Sequence, residues 1–366
     1  MNKLIAIDMP CGDFFVNCVR AAWDAGDAVL PIDQRLPQSL KQQIIEGFGV
    51  GVVVDESGES TFNGREIGTD DALVISTSGT TGTPKGVVLT HDAMKASSEM
   101  TSLALSVNPS LDTWLCCLPV SHIGGFSVIS RAIHTGTELR THEYFDASRC
   151  EQTGRDGASL VSVVPTVLER FDTSVFRKLL VGGSAIPSSL PPNAVATYGM
   201  TETGSGIVYN GSPLEGVKIE IREGEIYVQS PSLFRTYLGQ SPKVKNNWFG
   251  TGDAGYLTEA GKLVVTGRLD DAIVTGGEKV WPALIEKHLH SLGLFQEVAV
   301  IGRPSNEWGQ IVTAVVILNN PNKVPPIENI REQLDPLLPR YALPKAIEVV
   351  DSLPRNIAGK ILRNNI

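Results

Sequence analysis

The sequence has little of the basic charge that nucleic-acid binding requires. Its 366 residues include 31 lysines and arginines against 40 aspartates and glutamates, which gives a net charge of −9, and no basic tract interrupts this balance. Cationic clusters supply most of the affinity of proteins for a phosphate backbone. We therefore expect no nucleic-acid partner.

Long apolar runs and paired cysteine motifs are also missing. No apolar stretch approaches the roughly 20 residues that a membrane-spanning helix requires. The first fifteen residues carry one lysine and are interrupted by Asp8, Pro10 and Asp13, which is unlike a secretory signal. The five cysteines contain no C-x-x-C pair, a pattern typical of reduced thiols. These absences predict a cytoplasmic protein without disulfides, a zinc site or membrane insertion.

Short apolar runs separated by 36 glycines and 22 prolines are typical of a mixed α/β protein. The β-branched runs predict strands at 50–54, 72–76, 86–89, 159–164, 179–181, 218–221, 225–228, 263–266, 298–301 and 312–317. Helical spacing predicts helices at 14–26, 92–105, 281–292 and 327–338, with Thr90 as a cap of the second. At roughly 100–200 residues per domain, this length predicts two domains.

Two changes of pattern predict how the chain is divided. From about Val208 the chain turns to short strands with glycine turns, typical of a small β subdomain. After the stretch 267–271, a strand–helix–strand–strand–helix pattern of about a hundred residues is the size of a small α+β domain. We predict a domain boundary at Asp270, with one domain at 1–269 and a second at 270–366.

The stretch 76–86, STSGTTGTPKG, is the most specific motif of the chain. It lies between two predicted strands, and its three glycines allow backbone N–H groups to converge on one anion. Six hydroxyls and one lysine add donors, as a polyphosphate requires. It is not a Walker A loop, since glycine and a strand follow the lysine. The predicted phosphate-binding residues are Ser78, Gly79, Thr80, Thr81, Gly82, Thr83 and Lys85.

This motif resembles the phosphate loop of the adenylate-forming superfamily, which contains acyl-CoA synthetases, luciferases and nonribosomal-peptide adenylation domains. The resemblance extends from about Pro31 to Arg363. It implies an α/β fold with a large N-terminal domain of parallel-rich sheets, flanking helices and a small β subdomain, followed by a small α+β domain. It also implies ATP, Mg²⁺ and CoA as the small molecules bound.

Two further stretches, 182–187 and 196–204, match motifs of this superfamily in order and spacing. By resemblance, Tyr198 stacks on the adenine, Thr201 binds the α-phosphate and Glu202 holds Mg²⁺. The last role fits the preference of Mg²⁺ for one or two carboxylates together with phosphates and water. The other predicted nucleotide contacts of these motifs are Gly182, Gly183, Ser184 and Gly199.

Three charged residues near the second domain complete the predicted nucleotide site. Asp253, in Thr-Gly-Asp, matches the ribose-binding element, and Arg268 would also contact the ribose. Asp270 matches the hinge residue about which the small domain of relatives rotates. Independently of the resemblance, Asp253 could be a turn aspartate and Arg268 a member of a surface ion pair.

The C-terminal stretch 353–363 resembles the last superfamily motif, whose lysine enters the active site during adenylation. Lys360 is the predicted catalytic lysine. A cation is needed there because attack of a carboxylate on a phosphate brings two anions together. Gly276 and Gly277 follow the hinge and by resemblance line the pantetheine tunnel, although a simple β-turn is the alternative.

The acid substrate is predicted from the stretch 118–126 and the helix expected after it. By resemblance His122 belongs to the acyl pocket. Arg131 lies nine residues later on an otherwise apolar helix, where an arginine is unusual unless it meets an anion. Arg131 and the stretch 204–217, which includes Ser205, resemble the o-succinylbenzoate–CoA ligases of menaquinone biosynthesis, particularly short bacterial forms. Their substrate carries two carboxylates, and an ion pair with a nearby acid is the alternative for Arg131.

Only 75 residues precede Ser76, whereas most acyl-CoA synthetases have a much longer region there. The element 31–37 still matches that region, so we expect it to be trimmed rather than absent. The predicted function is ATP-dependent activation of o-succinylbenzoate and its transfer to CoA. A ligase for another aryl or fatty acid, a carrier-loading domain and a non-catalytic nucleotide sensor remain alternatives. The oligomeric state, a homodimer included, stays open.

Overall fold

The computed structural model describes residues 2–78, 84–187, 189–241, 243–320, 324–355 and 361–366. The α-helices of these residues are α1 Asp13–Asp24, α2 Gln38–Phe48, α3 His91–Ala104, α4 Ile123–Thr135, α5 Ala147–Arg155, α6 Pro282–Ser291 and α7 Ile327–Leu334. No helix among these residues is long and apolar enough to span a bilayer.

Most of the strands are short. Those before Ser212 are β1 Leu4–Asp8, β2 Ala28–Pro31, β3 Val52–Asp55, β4 Gly58–Thr61, β5 Asp71–Ser78, β6 Pro84–Thr90, β7 Thr113–Cys116, β8 Glu138–Thr141, β9 Leu160–Val163, β10 Lys178–Val181, β11 Ala194–Met200 and β12 Ser205–Tyr209. Those from Ser212 onward are β13 Ser212–Pro213, β14 Lys218–Arg222, β15 Glu225–Gln229, β16 Thr236–Tyr237, β17 Phe249–Leu257, β18 Leu263–Arg268, β19 Ile273–Thr275, β20 Glu278–Val280, β21 Phe295–Ser305, β22 Gly309–Leu318 and β23 Ala346–Val349.

The first sheet has the order β16-β6-β5-β2-β1-β3-β4 and is parallel in its centre. Ile5 of β1 pairs with Val29 on one side and Val52 on the other, and all three residues are buried. Near-continuous apolar strands of this kind occur where a parallel sheet is covered on both faces. The hairpin β5–β6 is antiparallel and brings Ser78 opposite Pro84.

The second sheet has the order β13-β12-β11-β10-β9-β7-β8, and the five strands from β11 to β8 are parallel. The carboxyl ends of parallel strands meet at one edge of a sheet, which is where ligands of α/β proteins bind. The predicted motif 182–187 follows β10 directly, and the predicted motif 196–204 runs from β11 into the turn after it. This edge therefore carries much of the predicted site.

The remaining sheets have the orders β14-β15-β17-β18 and β20-β19-β22-β21, with β23 paired to β22. By its contacts the chain divides into two units. The first consists of Met1–Glu220, Tyr227–Phe249 and Glu259–Leu263, and the second of Ile221–Ile226, Gly250–Thr258 and Val264–Ile366. In the second unit, α6 and α7 contribute buried side chains such as Ile285 and Ile330 to the core of the last sheet. The boundary predicted at Asp270 stays a prediction.

The fold class agrees with the prediction, and every predicted strand overlaps an observed one. Thr90 caps α3, since its Oγ1 accepts a hydrogen bond of 3.1 Å from Ala93 N. The helix α7 ends at Leu334 rather than at the predicted residue 338. Pro336 has no backbone N–H to donate to Glu332 O, so the hydrogen-bond ladder of the helix is interrupted there.

Candidate active site

The loop after β10 requires glycine for steric reasons. A Cβ at Gly182 would collide with Thr197 Oγ1, which itself donates to Val181 O over 3.1 Å. Gly183 adopts a φ of +84°, a conformation that favours glycine. Gly183 and Ser184 are exposed. The loop therefore leaves its backbone open to a ligand at the carboxyl edge of the second sheet.

The next motif turns sharply at the end of β11. A Cβ at Gly199 would collide with the backbone of Ser205 on the antiparallel strand β12, so a close approach of the strands accounts for this glycine. A short 3₁₀ turn, Thr201–Thr203, follows, and Thr203 Oγ1 accepts from Met200 N over 2.9 Å. Gly204 ends the turn with a φ of +70°. Thr201 and Glu202 are thereby presented, half-buried, at the edge where β11 ends.

Glu202 lies beside a residue that the sequence analysis did not identify. Tyr237 donates its hydroxyl to Glu202 Oε1 over 2.9 Å, and the Lys85 ammonium lies 5.8 Å from the centre of the same tyrosine ring. Tyr237 thus joins the lysine of the predicted phosphate loop to the predicted metal ligand. No local motif marks Tyr237, because its position depends on the pairing of β16 with β6.

Arg131 is a buried cation with neutral partners. Its side chain is 2% exposed, and its Nη atoms donate to Ser162 Oγ and Ser205 Oγ over 3.3 Å each. The guanidinium carbon lies 5.1 Å from the centre of the Trp114 ring, whereas Nε has no hydrogen-bond partner. Among the residues that the structure describes, none supplies a carboxylate to it, and burial lowers the pKa of Arg131. The predicted alternative, an ion pair with a protein acid, is not found among the residues that the structure describes.

Hydroxyl groups surround this arginine. Ser205 Oγ lies 2.8 Å from Ser97 Oγ of α3, and Thr101 Oγ1 of the same helix lies 2.9 Å from the Tyr209 hydroxyl. Burial raises the pKa of Tyr209, so this group is a neutral phenol. A buried charge costs much less when it is paired. These neutral dipoles solvate the cation without cancelling its charge, which leaves it able to bind an anion.

His122 precedes α4 and contacts the stretch 31–37. Arg35 donates to Asp33 through Nε and Nη2, over 2.9 and 2.6 Å, and Arg35 Nη2 also lies 2.8 Å from His122 Nε2. Burial lowers the pKa of His122, and the charge of Arg35 acts in the same direction against that of Asp33. His122 is therefore a neutral acceptor toward Arg35. The structure does not bring it within hydrogen-bond distance of Arg131.

Within the second unit, Asp253 and Arg268 lie together. Arg268 Nη1 donates to Asp253 Oδ1 and to Thr251 O, each over 3.0 Å, and Asp253 is 7% exposed. Burial lowers the pKa of Arg268, but the charge and the hydrogen bond of Asp253, together with the charges of Asp270 and Asp271, outweigh this, and the net shift is upward. The two predicted ribose contacts thus form one polar pair whose members orient each other.

The predicted hinge and the predicted CoA turn also belong to the second unit. Asp270 is exposed in a 3₁₀ turn, Leu269–Asp271. Gly276 has a φ of +59°, donates its N–H to Trp308 O over 2.9 Å and packs against the Trp308 ring. Gly277, with a φ of +86°, has no atom within 4 Å of the position of an added Cβ. This turn therefore has space on one side and an aromatic support on the other.

Several predicted residues lie outside the described part of the chain. They are Gly79, Thr80, Thr81, Gly82, Thr83 and Lys360. Their roles stay predictions, as do those of the other predicted site residues. Among described residues of the first unit, the structure brings Lys85 to Glu202 through Tyr237, and Arg131 to Ser205 directly.

Comparison with known proteins decides the family. The family described as AMP-binding enzyme matches residues 65–238, and the AMP-binding enzyme C-terminal domain matches residues 284–360. A 2-succinylbenzoate–CoA ligase from Lactococcus lactis subsp. lactis is 35% identical over 329 residues, which cover 81% of this chain and 70% of that protein. The chain belongs to the AMP-binding enzyme family.

Solved structures agree with this assignment. The o-succinylbenzoate CoA synthetase of Bacillus subtilis, in complex with the acyl-adenylate intermediate OSB-AMP, is similar to this AMP-binding enzyme with a TM-score of 0.87 at 28% identity. The similarity covers 99% of this chain and 87% of that one. The same synthetase in complex with ATP and magnesium ion has a TM-score of 0.86 at 28% identity, over 99% and 88% of the two chains. The superfamily resemblance found in the motifs is therefore confirmed.

Proposed function

We propose that this AMP-binding enzyme is an ATP-dependent 2-succinylbenzoate–CoA ligase that acts in menaquinone biosynthesis. A carboxylate oxygen of the acid attacks the α-phosphorus of ATP, forming an acyl-adenylate and releasing pyrophosphate. The sulfur of CoA then attacks the acyl carbon, and AMP leaves as the thioester forms. The small molecules of the reaction are 2-succinylbenzoate, ATP, Mg²⁺ and CoA, which is supported by the relatives' names and by their complexes.

The buried, carboxylate-free surroundings of Arg131 are the observation that carries the substrate assignment. 2-Succinylbenzoate has two carboxylates, and only one of them can be activated in a given turnover. The other is an anion that must leave water, which is costly unless it meets a cation and further donors. Arg131, with Ser162 and Ser205 beside it, offers both. Planar guanidinium groups bind carboxylates through paired hydrogen bonds.

The donor set at Glu202 fits Mg²⁺. One carboxylate oxygen accepts from Tyr237, and the hydroxyl of Thr201 lies in the same turn. Mg²⁺ in phosphoryl-transfer sites takes one or two carboxylates and completes its coordination with phosphates and water. We propose that Glu202 holds the ion, which when bound supplies positive charge to the triphosphate.

The remaining roles follow the superfamily resemblance. We propose that Tyr198 stacks on the adenine above the open backbone at Gly182, and that Thr201 donates to the α-phosphate. Lys360 is proposed to donate to the negative charge that develops there, which requires no proton transfer. The Asp253 carboxylate, oriented by Arg268, is a ready acceptor for the ribose hydroxyls.

For the thioester step, we propose that the turn at Gly276 and Gly277 admits the pantetheine arm, with Asp270 as the hinge between the two half-reactions. A side chain at Gly277 would occupy the open side of this turn. His122 is proposed to belong to the acyl pocket through its contact with Arg35. The cytoplasmic location stays a prediction, and the oligomeric state stays open, as in the sequence analysis.

Pyrophosphate release from MgATP tests the proposed function. We would compare 2-succinylbenzoate with two analogues that each lack one carboxylate, 4-oxo-4-phenylbutanoate and 2-butanoylbenzoate. Loss of the contact to a buried charge typically costs several kcal/mol, so the diacid should exceed both analogues in kcat/KM by at least about 100-fold. Equal use of the diacid and a monoacid would favour a ligase for another aryl or fatty acid.

The role of Lys360 is tested by separating the half-reactions. Lys360→Ala should lower pyrophosphate release by about 10²–10³-fold, the usual effect of losing one donor to transition-state charge. Thioester formation from supplied acyl-adenylate and CoA should stay near the wild-type rate. Normal adenylation by this variant would remove the proposed role.

A further inference from the structure

We propose that Tyr237 is a positioning residue that holds the Glu202 carboxylate for Mg²⁺ and couples it to Lys85 of the phosphate loop. The proposal rests on the function proposed above, because it assigns Glu202 to the metal. It adds a residue that no superfamily motif named in the sequence analysis contains.

The position of Tyr237 follows from strand pairing. β16 pairs antiparallel with β6, so that Tyr237 lies opposite Val87 and Thr236 opposite Val88. Side chains two residues apart on a strand point to the same face, and Lys85 is two residues before Val87. The Lys85 ammonium accordingly lies 5.8 Å from the centre of the tyrosine ring, within the range of a cation–π contact.

The ring is held in place by aromatic packing and by the backbone. Between ring centres, Phe234 lies 4.9 Å from Tyr237 and 5.0 Å from Phe249. Phe234 N also donates to Glu202 O over 2.8 Å, so the segment that carries the tyrosine binds the backbone of the glutamate as well. Both the tyrosine hydroxyl and the carboxylate therefore have restricted positions.

A neutral donor suits this position chemically. The Tyr237 hydroxyl donates to Glu202 Oε1 over 2.9 Å, and Oε2 stays available to the ion. A lysine or arginine at the same place would cancel the charge that attracts Mg²⁺, whereas a phenol orients the carboxylate and leaves its charge intact. Partners of metal-ligating side chains typically affect metal affinity by 10–100-fold.

The decisive variant is Tyr237→Phe, which removes one oxygen and keeps the ring that Phe234 and Lys85 contact. Calorimetry would give the affinity for ATP with Mg²⁺ and, separately, with EDTA in place of the metal, in the absence of acid and CoA. We expect the affinity for MgATP to fall by about 10-fold and the affinity for metal-free ATP to stay unchanged. The Mg²⁺ concentration that gives half-maximal pyrophosphate release should rise by a similar factor.

Tyr144→Phe is the matched control, since Tyr144 is 65% exposed and should change neither quantity. Thioester formation from supplied acyl-adenylate should be equal in wild type and Tyr237→Phe. Equal loss of affinity with and without metal, or no loss in either case, would overturn the proposal. If the wild type failed to adenylate 2-succinylbenzoate but Tyr237→Phe still lost only its metal-dependent ATP affinity, the function would be wrong and the positioning role would stand.

Discussion

The two ends of the second sheet treat buried charge in opposite ways. Asp112, Ser159 and Arg177 immediately precede β7, β9 and β10, and they form a cluster at the amino ends of these neighbouring strands. Arg177 Nε and Nη2 donate to the two oxygens of Asp112 over 2.9 and 2.7 Å. Toward the other end, Arg131 contacts only serine hydroxyls and an aromatic ring among the described residues.

We propose that this difference separates a structural cation, Arg177, from a functional one, Arg131. At the amino end, Arg177 and Asp112 form an ion pair, so each charge is compensated within the chain. Toward the carboxyl end, the cation is more deeply buried and yet has no anionic partner within the described part of the chain. This arrangement costs free energy in the folded enzyme. Such a cost is expected where a ligand supplies the missing charge. Substitution of Arg131 should therefore lower kcat/KM and not the free energy of unfolding, whereas substitution of Arg177 should do the reverse.

The largest expected effect is on catalysis by Arg131→Leu. Removal of the guanidinium leaves the second carboxylate of 2-succinylbenzoate buried without a cation. We expect kcat/KM for this acid to fall by about 10²–10³-fold, because hydrogen bonds to buried charged groups contribute about 1.5–3 kcal/mol each. Pyrophosphate release measures the effect, and the monocarboxylate analogues should lose far less.

Stability provides the contrast for this variant. Because leucine replaces an uncompensated buried charge, the free energy of unfolding of Arg131→Leu in urea should not decrease. Arg155→Leu, at a side chain that is 55% exposed, controls for loss of one positive charge and should leave kcat/KM unchanged. An Arg131→Leu enzyme that kept its preference for the diacid would show that this cation does not recognise the substrate.

The second prediction concerns stability at the opposite end. Arg177→Leu leaves Asp112, which is 6% exposed, without its cation. Asp112 keeps its bonds from Ser159 Oγ and Asn108 N, which limit the damage. We expect the free energy of unfolding to fall by about 2–3 kcal/mol, as measured in urea, while kcat/KM per folded enzyme is retained. A comparable loss of catalysis would erase the distinction between the two ends.

Much of the fold could be predicted because its strands are locally distinctive. The β-branched runs at β5, β6 and β22 pair in long antiparallel registers, and their composition alone indicates strands. By contrast, β11 contains Ala-Val-Ala-Thr-Tyr-Gly-Met and is a strand because β10 and β12 pair with it. α5 buries only Cys150 and Gly154, so its sequence has no apolar stripe to predict a helix. Long-range pairing and packing decided these elements.

In the candidate site too, some residues could be identified from the local sequence and others could not. Arg131 was identified because apolar residues such as Ile129 and Ala132 flank it on its helix, and its burial agrees with that pattern. Tyr237 and the Asp112–Arg177 pair were not identified. Tyr237 lies 35 residues from Glu202, and Asp112 lies 65 residues from Arg177. Their contacts arise only when strands distant in sequence become neighbours, which no local motif encodes.

The smallest expected effect concerns how the free energy of unfolding depends on pH in acid, and it involves Asp112 at the amino end of the sheet. Burial by itself would raise the pKa of Asp112, but the hydrogen bonds from Arg177 and Ser159 and the charge of Arg177 outweigh this and lower it. Its unfolded-state pKa is about 3.9. A carboxyl with a lowered folded-state pKa stabilises the fold above the unfolded-state value, and this contribution is lost as the pH falls through the folded-state value.

Below about pH 4, therefore, the unfolding free energy of the wild type should decline with falling pH, and part of that decline belongs to Asp112. In Asp112→Asn the decline should be shallower, because the amide does not titrate, although the variant is less stable at pH 6. Urea unfolding measured between about pH 2 and pH 6 tests this, with Asp24→Asn, at an exposed carboxylate of the same unit, as the comparison. Parallel pH profiles for wild type and Asp112→Asn would show that the buried pair does not lower the pKa of Asp112. Arg177 would then contact Asp112 without stabilising its charged form.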